Sequence, residues 1–156
     1  LGKYKSIIEE NKADMTSLAM LDVLTENGMY TPEQRNEIIV TYAADNMLKS
    51  KPTLSQAHRV RSVMQNYFFL KEGAFSIDMN GVLTVDIEKM VPTAKKMLEQ
   101  IIRVQIDGNF EEGEKYVLDN FIWTNQMETM AENIKRVSKT LNGKVESPLA
   151  DKLLNE

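Results

Sequence analysis

Cysteine is absent from the 156 residues, and histidine occurs once, at His58. The first absence excludes a disulfide framework, a thiolate zinc site, an iron–sulfur cluster and a cysteine nucleophile. The second is as limiting: a zinc site draws three or four protein ligands from Cys, His and carboxylates, and a Ser-His-Asp relay would have His58 as its only base. Glycine (7) and proline (4) are scarce, which argues against a fibrous or disordered chain. No uncharged apolar run approaches the roughly 20 residues needed to cross a bilayer, so no membrane partner is expected. Basic residues are not in excess: 19 against 23 acidic ones give a net charge of −4, with the two signs intermixed. A surface for a phosphate backbone is not expected, and nucleic acid is excluded as a partner. Also missing are a phosphate-cradling glycine loop, a dinucleotide fingerprint, a calcium loop and a Gly-x-Ser-x-Gly elbow.

What is present is a composition of 42% hydrophobic and 27% charged residues, enough to fold and bury a core. The length suits one domain, residues 1–156. The chain begins at Leu1 inside a helical pattern, with no initiator methionine and no signal-peptide stretch, and is therefore expected to be a piece of something longer. A cytoplasmic location is the expectation for it.

The pattern predicts a mainly α protein, an irregular bundle of about six helices with one small β-hairpin at about 75–85. Leu1 to about Glu26 reads as one helix, apolar nearly all round from Met15 to Leu24 and so expected inside the body. Asn27-Gly28 ends it. Thr31-Pro32-Glu33-Gln34 opens a second helix, to about Ser50, with an N-cap, a proline at the first helical position and a capping-box glutamine. Ser55 is expected to cap a third, carrying Val60, Val63, Met64 and Tyr67 up to Gly73. Phe75, Ile77 and Met79 then alternate up to Asn80-Gly81, followed by Val82-Leu83-Thr84-Val85, a hairpin signal. Asp86 can cap the next helix, which Pro92 should break or bend and which reaches about Asp107. Gly108-Asn109 turns the chain into a helix from Phe110 to about Ile122, and a last one places Met127, Met130, Ile134, Val137 and Leu141 on one stripe. Asn142-Gly143 stops it, and Ser147-Pro148 leads into a short helical tail. Trp123 and Phe121 read as packing residues at a helix junction, the methionines as core filling, and Glu111-Glu112-Gly113-Glu114 as a solvated first turn.

Two constellations could carry chemistry. Glu10 and Asp14, four apart, place both carboxylates on one face at the entrance of an apolar helix. Burying such groups costs several kcal/mol each unless a cation or donors lie near, so solvent, a basic residue from elsewhere or a metal with its histidines must compensate them. In the metal version Glu10 ligates zinc while Asp14, one turn on, accepts the N–H of a ligating histidine. In the plain version both are a solvated helix start, as many acidic pairs are. The second constellation is His58 with Arg61, three apart beside Arg59, able to point into a cleft and bind a substrate carboxylate or a developing oxyanion. The plain alternative is an ordinary amphipathic surface histidine.

Glu9-Glu10-Asn11-Lys12-Ala13-Asp14 resembles the second metal motif, Glu-Glu-x-x-Ala-Asp/Glu, of the dipeptidyl-peptidase III family of zinc metallopeptidases. The resemblance extends over most of the chain, from about Ile7 to Leu141: an apolar helix, a long helix, a Gln56-Ala57-His58 segment opening another, a small strand pair, and Gly108-Asn109-Phe110 with Gly113 resembling the family's Gly-Asp-hydrophobic turn. It implies that Glu10 is the carboxylate zinc ligand, that Glu9 and Asp14 orient the ligating histidines, and that His58 lines the cleft to hold substrate or stabilise the transition state. The family's arginine after this histidine falls one position beyond Arg61, where Ser62 stands, so Arg61 as a substrate-binding group departs from the pattern. The family's His-Glu-x-x-Gly-His motif, which supplies two zinc ligands and the general base, is missing from these residues, as is the signature of the Nudix-like domain some relatives add. The resemblance therefore implies the C-terminal part of a longer zinc enzyme that hydrolyses short peptides, releasing dipeptides. Its partners would be the remainder of that polypeptide and, in the whole enzyme, the peptide substrate. The zinc belongs to the whole enzyme, and this piece alone is expected to bind none and to be inactive.

The competing reading is a non-catalytic helical protein-interaction module in which Glu10, Asp14 and His58 are surface residues. The two differ in a checkable way: a peptidase piece should bring His58 across to the face that carries Glu10 and Asp14. It should also expose apolar surface near the first helix.

Overall fold

The computed structural model describes residues 1–141 and is mainly helical. After a 3-10 turn at Gly2–Tyr4, seven α-helices occur among the described residues: α1 (Lys5–Ala19), α2 (Leu21–Glu26), α3 (Pro32–Asp45), α4 (Ala57–Lys71), α5 (Ile87–Asp107), α6 (Phe110–Asn120) and α7 (Asn125–Leu141). Between α4 and α5 lie two short strands, β1 (Phe75–Ile77) and β2 (Leu83–Val85), paired antiparallel with Phe75 opposite Val85 and Ile77 opposite Leu83. No described helix is long and apolar enough to cross a membrane. The expected stop at Asn142-Gly143 and the helical tail after Ser147-Pro148 lie outside the described residues.

The bundle is arranged around α1, which packs most extensively on α5 and next on α4, and also meets α6. Ile7, Ile8, Asn11, Met15 and Leu18 recur at steps of one, three and four and are all buried, so the buried stripe winds along one side of α1. In one core cluster with it lie Val60, Met64 and Phe69 of α4, Met90, Met97 and Ile101 of α5, Val117 of α6 and Ile39 of α3, each fully buried. Met127 and Met130 of α7 are buried too, in keeping with methionine as core filler.

Where local chemistry is decisive the elements start and stop as the sequence predicts. Thr31 and Gln34 form the reciprocal capping box of α3. Asp86 accepts from the backbone N–H of Lys89 at the start of α5, Asn109 accepts from that of Glu111 at the start of α6, and Gly108 takes the left-handed conformation that ends α5.

Several expectations are corrected. The first helix is not continuous: it is interrupted for one residue at Met20, which still donates to the Thr16 carbonyl and accepts from the Leu24 N–H, and α2 restarts at Leu21. Nor is the stretch 15–24 buried all round, since Met20 and Val23 face outward. The second helix ends at Asp45 rather than Ser50, because Asn46 is drawn inward to bond Asn66. Ser55 does not cap α4: Gln56 holds that position without a side-chain cap, and Ser55 bonds Thr53 instead. The hairpin turn spans residues 78–82, with Asp78 accepting from the N–H groups of Asn80 and Val82, and this carries Met79 out of the strand to 95% exposure. Pro92 does not break α5, which runs unbroken past it while Met90, Val91, Thr93 and Ala94 are buried on either side. One missing backbone bond is outweighed there by the packing.

Candidate functional site

The face of α1 that carries Glu10 and Asp14 meets the first turns of α4. One turn of each helix separates the paired groups, so Glu10 stands opposite His58 and Asp14 opposite Arg61. Glu10 Oε2 lies 2.9 Å from His58 Nδ1, with the Glu10 side chain 27% exposed and the imidazole 80% exposed. Oε2 itself is buried, and among the described residues no group is aligned to donate a hydrogen bond to it. His58 Nδ1 is thus in ion-pair reach of this same oxygen, though not aligned as a hydrogen-bond donor to it. A buried carboxylate oxygen calls for a partner, and among the described residues His58 is the group that approaches it.

Asp14 is compensated differently. Its Oδ2 accepts from the Arg61 guanidinium and from Gln65 Nε2 at 3.0 Å. A basic residue from another helix therefore balances this acid, one of the alternatives open at the sequence level. Arg61 also reaches Gln65 Oε1 at 3.3 Å, and its side chain is mostly buried. Glu9 is on another face of α1. It accepts from Gln105 Nε2 of α5 at 2.7 Å and pairs with Lys12 at 2.8 Å, so the structure does not bring it to Glu10, Asp14 and His58. The hydrogen bond from Lys12 holds its carboxyl below the usual range.

Behind the acidic face is a polar layer that reasoning from sequence missed. Gln65, fully buried on α4, donates to Asn11 Oδ1 and Asp14 Oδ2, each at 3.0 Å, and accepts from the Tyr42 hydroxyl at 2.7 Å. Asn11, also fully buried, donates onward to the Tyr116 hydroxyl at 3.1 Å. Asn46 and Asn66 close the layer on the α3 side. Burial of the phenols pushes Tyr42 and Tyr116 well above the ordinary tyrosine range. The signal in the sequence was faint: Asn11 falls on the apolar stripe of α1, and a polar residue at a core position demands a partner.

Asp14 and Arg61 also line a cleft of about 660 Å³, walled by Tyr30, Glu37, Ile38 and Tyr42. A more apolar hollow of about 350 Å³, lined by Leu18, Leu21, Leu24 and Tyr30, adjoins it at Asp14. On the other side of the Glu10–His58 pair, Ser6, Ile7, Leu54 and Ala57 line a third hollow of about 390 Å³. The pair sits on the seam between α1 and α4, and neither Glu10 nor His58 lines any of these three hollows. Among the described residues no group of three or more His, Cys, Asp or Glu side chains could hold a metal ion, so Glu10 could supply part of a metal site and no more.

No family model and no curated protein matches the chain. Among solved structures, dipeptidyl-peptidase III from Caldithrix abyssi matches with a TM-score of 0.77 and 21% identity, over 85% of this chain and 26% of that one. Dipeptidyl-peptidase III from Corallococcus sp. strain EGB matches with a TM-score of 0.76 and 24% identity, over 85% and 25% of the two chains. The fold of this chain is similar to that of a part of these enzymes. The chain spans about a quarter of the length of the structures it matches.

Proposed function

We propose that these 156 residues form one helical domain of a zinc-dependent metallopeptidase of the dipeptidyl-peptidase III type, in which Glu10 is the carboxylate ligand and His58 a cleft residue facing the substrate. The observation that carries the reading is the buried, donorless Oε2 of Glu10 with His58 beside it. An interaction module without chemistry accounts for the Asp14–Arg61 pair and for Glu10 beside His58, but not for the lack of an aligned donor to the buried Oε2. The donor set fits one carboxylate position of a zinc site. The imidazole ligands and the general base would come from polypeptide beyond these residues, and the domain alone would be inactive.

When bound, zinc would supply Lewis acidity to the scissile carbonyl and acidify the attacking water. The roles of this chain's own residues follow from their places. Glu10 would contribute charge to the site. Asp14, its Oδ2 held by Arg61 and Gln65, would offer Oδ1 to the N–H of a ligating imidazole and fix its tautomer. His58, exposed at the seam, would donate to the oxygen on which charge develops. Arg61 lines the cleft and would meet a substrate carbonyl or carboxylate there. Glu9, tied to Lys12 and Gln105, would act only by stiffening α1 against α5. The substrate would be a short peptide, with dipeptides released.

The test is zinc content and dipeptide release in the polypeptide that joins these residues to a His-Glu-x-x-Gly-His segment. Glu10→Ala should lose most of its zinc, because one of about three protein ligands is removed. His58→Ala should keep its zinc and lose roughly 10²–10³-fold in kcat, the loss typical of a missing oxyanion donor. Full zinc occupancy in Glu10→Ala, or a coding sequence with no such segment, would reject the reading.

A further inference from the structure

Gln65 is the most completely engaged side chain in the polar layer. It is fully buried, and both faces of its amide are used: Nε2 donates to Asn11 Oδ1 and Asp14 Oδ2, while Oε1 accepts from Tyr42 and from Arg61. A primary amide has two N–H donors and two lone pairs, so no valence is left over and the group has one orientation only. Flipping it would set Nε2 against the Tyr42 and Arg61 donors and Oε1 against the Asp14 carboxylate. Four elements converge on this amide directly or through one neighbour: α1 by Asn11 and Asp14, α3 by Tyr42, α4 by Arg61, and α6 by Tyr116 through Asn11.

The consequence falls on Asp14. Both of its donors, Arg61 and Gln65, act on Oδ2, and among the described residues no hydrogen bond reaches Oδ1. Arg61 is partly exposed and lines the cleft, whereas Gln65 is sealed inside and cannot be displaced by solvent or ligand. Of the two, Gln65 is the fixed point.

We infer that Gln65 is a positioning residue, clamping the Asp14 carboxylate by Oδ2 so that Oδ1 is the oxygen offered at the cleft. This rests on the reading of Asp14 as the acceptor for a metal-ligating imidazole, and it deepens that reading by naming the group that aims it. Outer partners of a metal site typically alter metal affinity by about 10–100-fold when removed. Gln65 acts one step further out, so its removal belongs at the lower end, about 10-fold.

The experiment compares Gln65→Met, which keeps the volume and removes every polar contact, with Asn66→Leu on the same helix. Asn66 is equally enclosed but bonds only Asn46, away from Asp14. Both changes should lower the melting temperature. In the polypeptide carrying the histidine motif, only Gln65→Met should weaken zinc affinity, by about 10-fold, and lower kcat with KM nearly unchanged. Equal zinc affinity in Gln65→Met and wild type, or the same loss in Asn66→Leu, overturns the inference. If Gln65→Met fails to fold, Gln65→Glu takes its place, since it keeps the acceptors for Tyr42 and Arg61 and removes the donors to Asp14 and Asn11. A second readout needs no zinc. In the 156-residue chain, NMR should show the Gln65 side-chain amide protons, which donate to Asp14 and Asn11, protected from exchange with solvent, and equally protected in Asn66→Leu. Should the wild-type polypeptide bind no zinc, the peptidase reading fails while this measurement still decides whether the clamp exists; rapid exchange of those protons in the wild type overturns the clamp itself.

Discussion

The chemistry at single residues turns on which acids of α1 have a donor and which do not. Asp14 has two, and removing the stronger one exposes how much it matters. Arg61→Leu should destabilise the chain by about 1–3 kcal/mol, since a charge-assisted bond is lost and a half-buried carboxylate keeps only Gln65. Urea unfolding measures this, and a change below about 0.5 kcal/mol, the range of ordinary surface substitutions, would place the ion pair among them. The two buried phenols make a prediction of a different kind. Tyr42 and Tyr116 hold their protons in the native state far beyond the point, at pH of about 10, where an unfolded chain releases them. The unfolded state then binds fewer protons, so stability falls as pH rises above about 10, by roughly 1.4 kcal/mol per pH unit for each phenol, and neither contributes a slope below that pH. The Tyr42→Phe, Tyr116→Phe double variant should lose that part of the alkaline decline. Equal slopes in the two proteins would show that the phenols ionise while folded. None of this was legible residue by residue. Asn11 and Gln65 are 54 positions apart, and each alone looks like a polar side chain on an amphipathic helix.

At the level of helices and strands, the parts that could be read were those fixed by neighbours in sequence. Thr31 with Gln34, Asp86, Asn109 and Gly108 mark their boundaries by bonding backbone groups two to four residues away, and each does so in the structure. The break at Met20 has no such mark: no glycine, proline or cap precedes it. The early end of α3 was equally hidden, because it depends on Asn66 from another helix. Two glycines show how context separates similar backbones. Gly28 (φ +74) and Gly81 (φ +76) both occupy the left-handed region, but a Cβ at Gly28 meets nothing within 4 Å, whereas one at Gly81 would come within 2.5 Å of the Thr129 carbonyl oxygen on α7. Gly28→Ala should therefore cost about 1–2 kcal/mol, the strain of the backbone alone. Gly81→Ala should cost more, by roughly another 1–3 kcal/mol for the overlap, because α7 must move off the hairpin. Equal losses by thermal or urea unfolding would mean that α7 yields freely.

For the whole molecule, the helical fold with its hairpin was legible in the order of elements; the contact of Asp14 with Arg61 was not, whereas exposed apolar surface near the first helix was expected. Met20, Val23 and Met29 stand exposed there, and Val40 on α3, which packs against α2. An isolated chain with such a surface should bind an apolar probe dye more strongly than an ordinary monomer of its size, and Met20→Ser with Val40→Ser should reduce the signal. Dye binding at the level of the ordinary monomer would remove the case for a large covering partner on that side. At the far end of the molecule, helix α7 buries Met127, Met130 and Ala131, meets the body at β1 and through the bond from Asn133 Nδ2 to the Gly81 carbonyl at 3.2 Å, and has its first turn tied by Trp123, whose indole N–H donates to Glu128 at 2.5 Å. Trp123 is the chain's single tryptophan. Intrinsic fluorescence is consequently a gauge of the α6–α7 junction and not of the interior, and it will coincide with circular dichroism during denaturation only if that junction comes apart in the same cooperative event as the helices around α1.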